Sequence, residues 1–265
     1  MKTKPATRVS FSDDPPTISV SMPEKWSDLS DTELRTVFRV IDTYTGRDDN
    51  VPFQVFRRLA GMRVERTYEG RFLCSFRSGK EKLRCWITPE AMAAHLECLS
   101  FLSDPGDTPV RLARIGYGRR KSYKGVNPQL HGFRFLDYVM LENLYQGFLK
   151  SKDPSDILKM TSLLYPGFRP GKDRISAYEA LSVIQWVVQV KGMFARTFRN
   201  FFRPAAGGGS APSMAEVMNN EIRALTQGDV SKEAEIFEID CWRCLTELDF
   251  KAREAEEFNR IKNKT

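Results

Sequence analysis

Cys241 and Cys244, in the stretch DCWRCLTEL, have the spacing of half a structural zinc site or of a dithiol redox pair. Zinc requires two further ligands, usually a second CxxC or a spaced pair of histidines, and neither follows. Only Cys74 and Cys85, brought together by a sheet and carried across to the tail, would complete four sulfurs. A thioredoxin-like role calls for a strand before the pair, whereas Trp242, Leu245 and Leu248 recur at helical spacing. Two small residues packed within a helix, with no metal, is the reading these positions favour.

The segment RLARIGYGRRKSYKG, residues 111–125, is the most basic in the chain. Arg111, Arg114, Arg119, Arg120, Lys121 and Lys124 are interleaved there with Tyr117 and Tyr123. Cations neutralise phosphates and tyrosine faces stack on bases, so this is one form a nucleic-acid loop takes; the alternative is a solvated surface loop. The segment fails as a phosphate loop, because Arg120 stands where glycine must precede the Lys121-Ser122 pair. For acid–base work the chain offers His95, within a helical pattern, and His131, in a loop, and neither belongs to an HExxH arrangement. There is no GxSxG elbow, and Glu254, Glu256 and Glu257 read as the solvated face of a charged helix. The sequence ENLYQG, residues 142–147, lacks the phenylalanine of the protease site it approaches, and helical periodicity runs through it. No enzyme activity and no cofactor are expected.

Elements to position these residues follow from periodicity and caps. Residues 1–24 place Pro5, Pro15, Pro16 and Pro23 among Ser, Thr and Asp without an apolar period, and read as a mobile arm. Ser30 and Glu33 form a capping box for a helix whose face is Leu34, Val37, Phe38 and Ile41. A short helix in VPFQVFRRLAG follows, and the period then changes to two in MRVERTY, FLCSFRS and KLRCWIT, a small antiparallel meander turning at Glu69-Gly70. Thr88, Pro89 and Glu90 start the helix AMAAHLECLSFL, which stops before the turn SDPGDTP. Beyond an irregular stretch, 103–131, helices are expected in FRFLDYVMLENLYQGFLKS, in DPSDILKMTSLLY and from Ser176 to Arg203, the last being the most apolar. The fold class is mainly α with a small antiparallel β meander: a compact helical body, residues 25–203, and a tethered helical module, 214–265.

The tether is residues 204–213, PAAGGGSAPS. It separates unlike charges: residues 214–265 hold 8 Lys/Arg against 12 Asp/Glu, net −4, which leaves +11 of the chain's +7 total to residues 1–213. Opposite signs permit attraction in cis, different partners or self-association, so whole-chain charge names no single partner. The module, read as MAEVMNNEIRAL, SKEAEIFEI and WRCLTELDFKAREAEEFNRI, is near the size at which a core is marginal, and should need a partner. Its candidate capture residues are Ile222, Leu225, Ile236, Phe237, Trp242, Leu245 and Leu248. Just before the tether, Phe194, Phe198, Phe201 and Phe202 fall at i, i+4, i+7 and i+8, a stripe that suits either core packing or docking of a helix. The amino terminus has no apolar signal region, so the five cysteines read as free thiols of a reducing cytoplasm. The most apolar window, Ala180–Val190, carries Ser182, Gln185 and Gln189 and reads as a buried helix, so no membrane association is expected.

The order WSDLSDTELRTVFRVI, PVRLARI, LENLYQGFL, LLYPGF, FARTFRNFFRP, a Gly-rich break and EIRALTQGDVSKEAEIFEIDCWRCLTEL resembles proteins encoded in phage and prophage structural clusters of anaerobic gut bacteria. The resemblance spans most of residues 26–260, and its body-linker-tail layout is similar to tail assembly chaperones. It implies a non-enzymatic morphogenesis protein of the host cytoplasm, with the tape measure and tail tube proteins as partners. The alternatives are a nucleic-acid-binding protein acting through residues 111–124 and a structural connector retained in the virion. The family's pattern carries over no site residue.

Overall fold

The computed structural model describes residues 9–10, 17–18, 20–46, 50–78, 81–106, 108–116, 121–203 and 214–262. The chain is mainly helical, with small antiparallel sheets, and forms two compact units, residues 1–106 and 107–265. The division thus falls in the SDPGDTP turn and not at the Gly-rich tether. The tether, like most of the N-terminal arm, lies outside the described residues. Of the arm, a two-residue ladder is described, β1 (Val9–Ser10) antiparallel to β2 (Thr17–Ile18).

In the first unit, α1 (Asp31–Tyr44) begins at the expected box: Ser30 accepts from the Glu33 amide, and the Glu33 carboxylate accepts from the Ser30 amide at 2.8 Å. Asn50 caps α2 (Val51–Leu59) and Thr88 caps α3 (Pro89–Glu97) by the same means, each side chain accepting an amide otherwise left without a helical partner. The meander is three-stranded, β3 (Arg63–Tyr68), β4 (Arg71–Ser78) and β5 (Glu81–Ile87), in the order β3-β4-β5. Glu69 and Gly70 both have positive φ, 47° and 73°, the backbone that a two-residue hairpin of right-handed twist needs. Trp26 closes this unit's core, stacked on Phe38 and edge-on to Phe101, with its indole N–H donated to the Asp104 carbonyl at 2.8 Å.

Among the described residues the second unit holds six α-helices: α4 (Phe135–Ser151), α5 (Pro154–Leu164), α6 (Ala177–Thr197), α7 (Met214–Thr226), α8 (Glu233–Glu238) and α9 (Cys241–Lys262). Ser176 and Glu179 box the start of α6. The buried Glu179 also accepts from the Gly116 amide at 3.0 Å, tying α6 to a ladder that periodicity does not announce, β6 (Arg114–Ile115) with β7 (Tyr123–Lys124). Gly116 is required there, since a Cβ would lie 2.7 Å from the Lys121 carbonyl oxygen. Trp186 and Tyr165 centre the core, donating to the carbonyls of Pro128 at 2.7 Å and Leu112 at 2.9 Å. Among the described residues no helix is long and apolar enough to cross a membrane.

Candidate functional site

The phenylalanine stripe does not stay on one helix. The α6 helix ends at Thr197, and Phe198 takes φ −108°, ψ 61° instead of continuing to Arg203. A residue fifty positions away causes the break: Asp249 of α9 accepts from the amides of Asn200 at 2.8 Å and Phe201 at 3.0 Å, and from the Asn200 side chain at 2.9 Å. These amides therefore bond across the fold rather than up a helix. Phe194 and Phe198 point into the core, whereas Phe201 and Phe202 turn aside, edge to face at 4.8 Å, and stay half-buried.

What the stripe packs against is the chain's own tail. The Trp242 ring meets Phe194 at 5.3 Å and Phe198 at 5.6 Å, and stacks on His131 at 4.4 Å. Its indole N–H donates to the Gln129 carbonyl at 2.7 Å. Two backbone bonds, Phe135 N–H to the Ile239 carbonyl and Cys241 N–H to the Phe133 carbonyl, both 2.8 Å, join the start of α4 to the start of α9. Arg134 pairs with Glu238 at 3.1 Å, and Arg203 pairs with Glu256 at 2.6 Å. The expectation of a tethered module at 214–265 is therefore corrected: these helices share a unit and a core with α4 and α6. The physical reason is area. Leu245 and Leu248 are buried, and an apolar helix face beside a phenylalanine-rich body lowers the free energy most by packing on it. Ile222, Leu225, Ile236 and Phe237 are half-buried, so the face expected to capture another protein is already partly covered within this unit.

The two cysteines follow the same logic. Cys241 is fully buried with its thiol toward the Leu130 carbonyl, and Cys244 is buried beside it. Burial and then Asp240 push their thiols up, Cys241 to about 12 and Cys244 to about 11, so both remain protonated and poor nucleophiles. Cys74 and Cys85 face each other across β4 and β5, in the other unit. Among the described residues no group of three or more His, Cys, Asp or Glu is placed to hold a metal ion.

The basic segment divides by role. Arg111 is half-buried, its guanidinium bonded to the carbonyls of Val126 at 2.5 Å and Leu112 at 3.3 Å and lying over Trp186, so it holds the core together. Arg114 bonds the Ser122 hydroxyl at 2.9 Å, and Tyr123 packs edge-on to Phe168. Lys124 is exposed, while Tyr117, Arg119 and Arg120 lie outside the described residues. Lys121 pairs with Asp173 at 3.2 Å and, with Arg169 and Lys172, borders a cleft of about 320 Å³. Arg169 and Lys172 sit in the Pro-Gly loop after α5, which periodicity reads only as a helix end. His95 stacks on Phe56 at 5.8 Å, in the first unit.

A second opening sits where the tail meets the body. Tyr138, Val139 and Glu142 of α4, Phe201 and Phe202 of the turn, and Met218 and Glu221 of α7 line a groove of about 190 Å³. Asn143 donates its amide to the Met218 sulfur at 2.8 Å, holding α7 on α4. Glu142 is satisfied by Lys191 and by Gln146 at 2.8 Å. Glu221 is different: burial, and next the charge of Glu142, raise its carboxyl to about 7. The folded chain thus holds a proton that the unfolded chain releases near the ordinary value of 4.5. Stability is fully present below that ordinary value and is lost as pH rises toward 7. Glu221→Gln, which keeps the protonated shape, is expected to raise stability by roughly 1–2 kcal/mol at pH 8 and to leave it unchanged at pH 4, after discounting for partial solvent exposure. Urea midpoints at the two pH values check this. No family model, curated protein or solved structure matches the chain.

Proposed function

We propose that the chain is a protein-binding factor of phage morphogenesis, without a reaction of its own, acting as a tail assembly chaperone that holds the tape measure protein and recruits tail tube subunits. The sequence resemblance supplies the setting. The observation that carries a binding role is the far end of α9, where Phe250 is 48% and Phe258 69% exposed on a helix otherwise charged, with Ile261 exposed one turn further on. Phe250 and Phe258 are about 12 Å apart along the axis, and Glu254 and Glu257 stand between them. Large apolar groups rimmed by charge are how a helix presents itself to another helix. With the rest of α9 docked in cis, this end is the part left to grip a client.

Truncation before the tail would remove the partner of Phe194 and report on folding alone, so point substitutions are the better test. Co-expressed with the tape measure protein of its cluster, the Phe250→Asp, Phe258→Asp double variant is expected to reduce soluble client at least tenfold while its own melting temperature holds. Full client solubility with that variant would overturn the reading.

A second reading, phosphate-backbone binding, has the cleft of Lys121, Arg169 and Lys172 in its favour. It requires binding that weakens steeply from low to physiological salt and a shallower salt slope in Lys172→Ala. Binding to the client that is insensitive to salt supports the chaperone instead.

A further inference from the structure

The groove between α4, α7 and the turn after α6 combines two properties that conflict once its acidic group ionises. Its walls are apolar and aromatic, yet Glu221 opens into it with no hydrogen bond or ion pair to any described residue. Groups facing Glu221 give no relief: Glu142 and Tyr138 come from α4, and the cation of α6, Lys191, is held by Glu142. Arg203, beside the phenylalanines, is taken by Glu256. The sequence joining Arg203 to α7, PAAGGGSAPS, contains neither lysine nor arginine. A carboxylate in apolar surroundings is costly unless paired; Glu221 avoids that cost by holding its proton to about neutral pH, and no cation among the described residues pairs with it.

Size narrows the ligand. A groove of about 190 Å³ is below the roughly 300–1,000 Å³ typical of sites for drug-sized molecules. It suits one long side chain, with an aliphatic stem against aromatic walls and a cation at its tip, the arrangement lysine and arginine adopt when they bury their stems. Tyr138, Phe201 and Phe202 add ring faces on which a cation is further stabilised.

We propose that this groove is a receptor for a single lysine or arginine side chain of a partner polypeptide, the stem lying among Tyr138, Phe201, Phe202 and Met218 and the cation pairing with Glu221. Entry of a cation requires Glu221 to ionise, so binding releases a proton and strengthens as pH rises through neutrality. The site is independent of the phage reading and of Phe258, so either can fail without the other.

The test uses the full chain with its methionine methyl groups labelled with ¹³C, the Met218 signal being assigned through Met218→Leu. Two amphipathic helical peptides of alanine and leucine serve as probes, identical except that a central lysine in one is norleucine in the other. The lysine peptide is expected to shift the Met218 methyl and to bind at least tenfold more tightly than the norleucine peptide at pH 8. That advantage should shrink at least threefold at pH 6 and disappear in Glu221→Gln, a variant whose fold is checked by circular dichroism. Equal binding of the two peptides, or no shift of Met218 by either at millimolar concentration, would overturn the proposal. So would a concentration-dependent dimer that shifts Met218 without peptide and is lost in Glu221→Gln, since the cation would then come from a second copy.

Discussion

Phe194→Ala is expected to cost about 3–5 kcal/mol of the stability of residues 107–265, the range for deleting a buried aromatic ring. Phe194 is fully buried, and its ring meets those of Tyr138 at 5.5 Å, Phe198 at 5.7 Å and Trp242 at 5.3 Å. Those neighbours come from α4, from the residue that ends α6, and from α9, so the cavity would open where these helices meet, and none could close it without moving the others. Urea denaturation measures the loss. The pair with Trp242→Ala carries further information, because residues in contact couple by about 0.5–3 kcal/mol. A double-mutant cycle should show that coupling, whereas strict additivity would mean that Trp242 does not rest on Phe194 in solution.

Asp249→Ala should remove about 2–3 kcal/mol, because a charged acceptor is lost and its donors are left poorly paired. One carboxylate holds two backbone amides and a side-chain amide of the turn at Asn200 and Phe201. Asp249→Asn keeps one acceptor oxygen and should lose roughly half as much. In Asp249→Ala the turn is also released to continue α6, which would carry Phe201 and Phe202 away from Met218. The Met218 methyl shift therefore reports the same substitution independently of denaturation.

The elements of the first unit were legible because their determinants are local. Ser30 with Glu33, Thr88 and Glu69-Gly70 each act within four residues and stand where the pattern placed them, and the Asn50 cap, which the pattern did not single out, is just as local. The meander and the mainly helical class follow from periods of two and 3.6 on the same grounds. The end of α6 was not legible, because apolar spacing continues to Arg203 and the group that stops the helix is Asp249. The β6–β7 ladder was hidden for a related reason: two-residue strands have no alternation to detect, and what fixes them is Glu179, some sixty residues on. The tail shows the same limit most plainly. A stretch such as PAAGGGSAPS declares that helices on either side are joined loosely along the chain, but not whether they separate in space. That depends on Trp242 finding Phe194 and Phe198 and on Leu245 and Leu248 being buried, a match between surfaces that neither segment reveals alone. The groove depends on the same match, since Glu221 reads as one more surface carboxylate until α7 is laid on α4.

Native-state hydrogen exchange on the full chain tests most directly whether the tail belongs to the core. Amides of α6 and of the first half of α9 should exchange through one cooperative opening, with the same free energy and the same denaturant dependence, while those beyond Ala252 exchange at lower free energy. If α9 exchanged throughout at a much lower free energy than α6, with α6 still protected, the C-terminal helices would be a separable module and their docking on Phe194 and Phe198 would be contradicted.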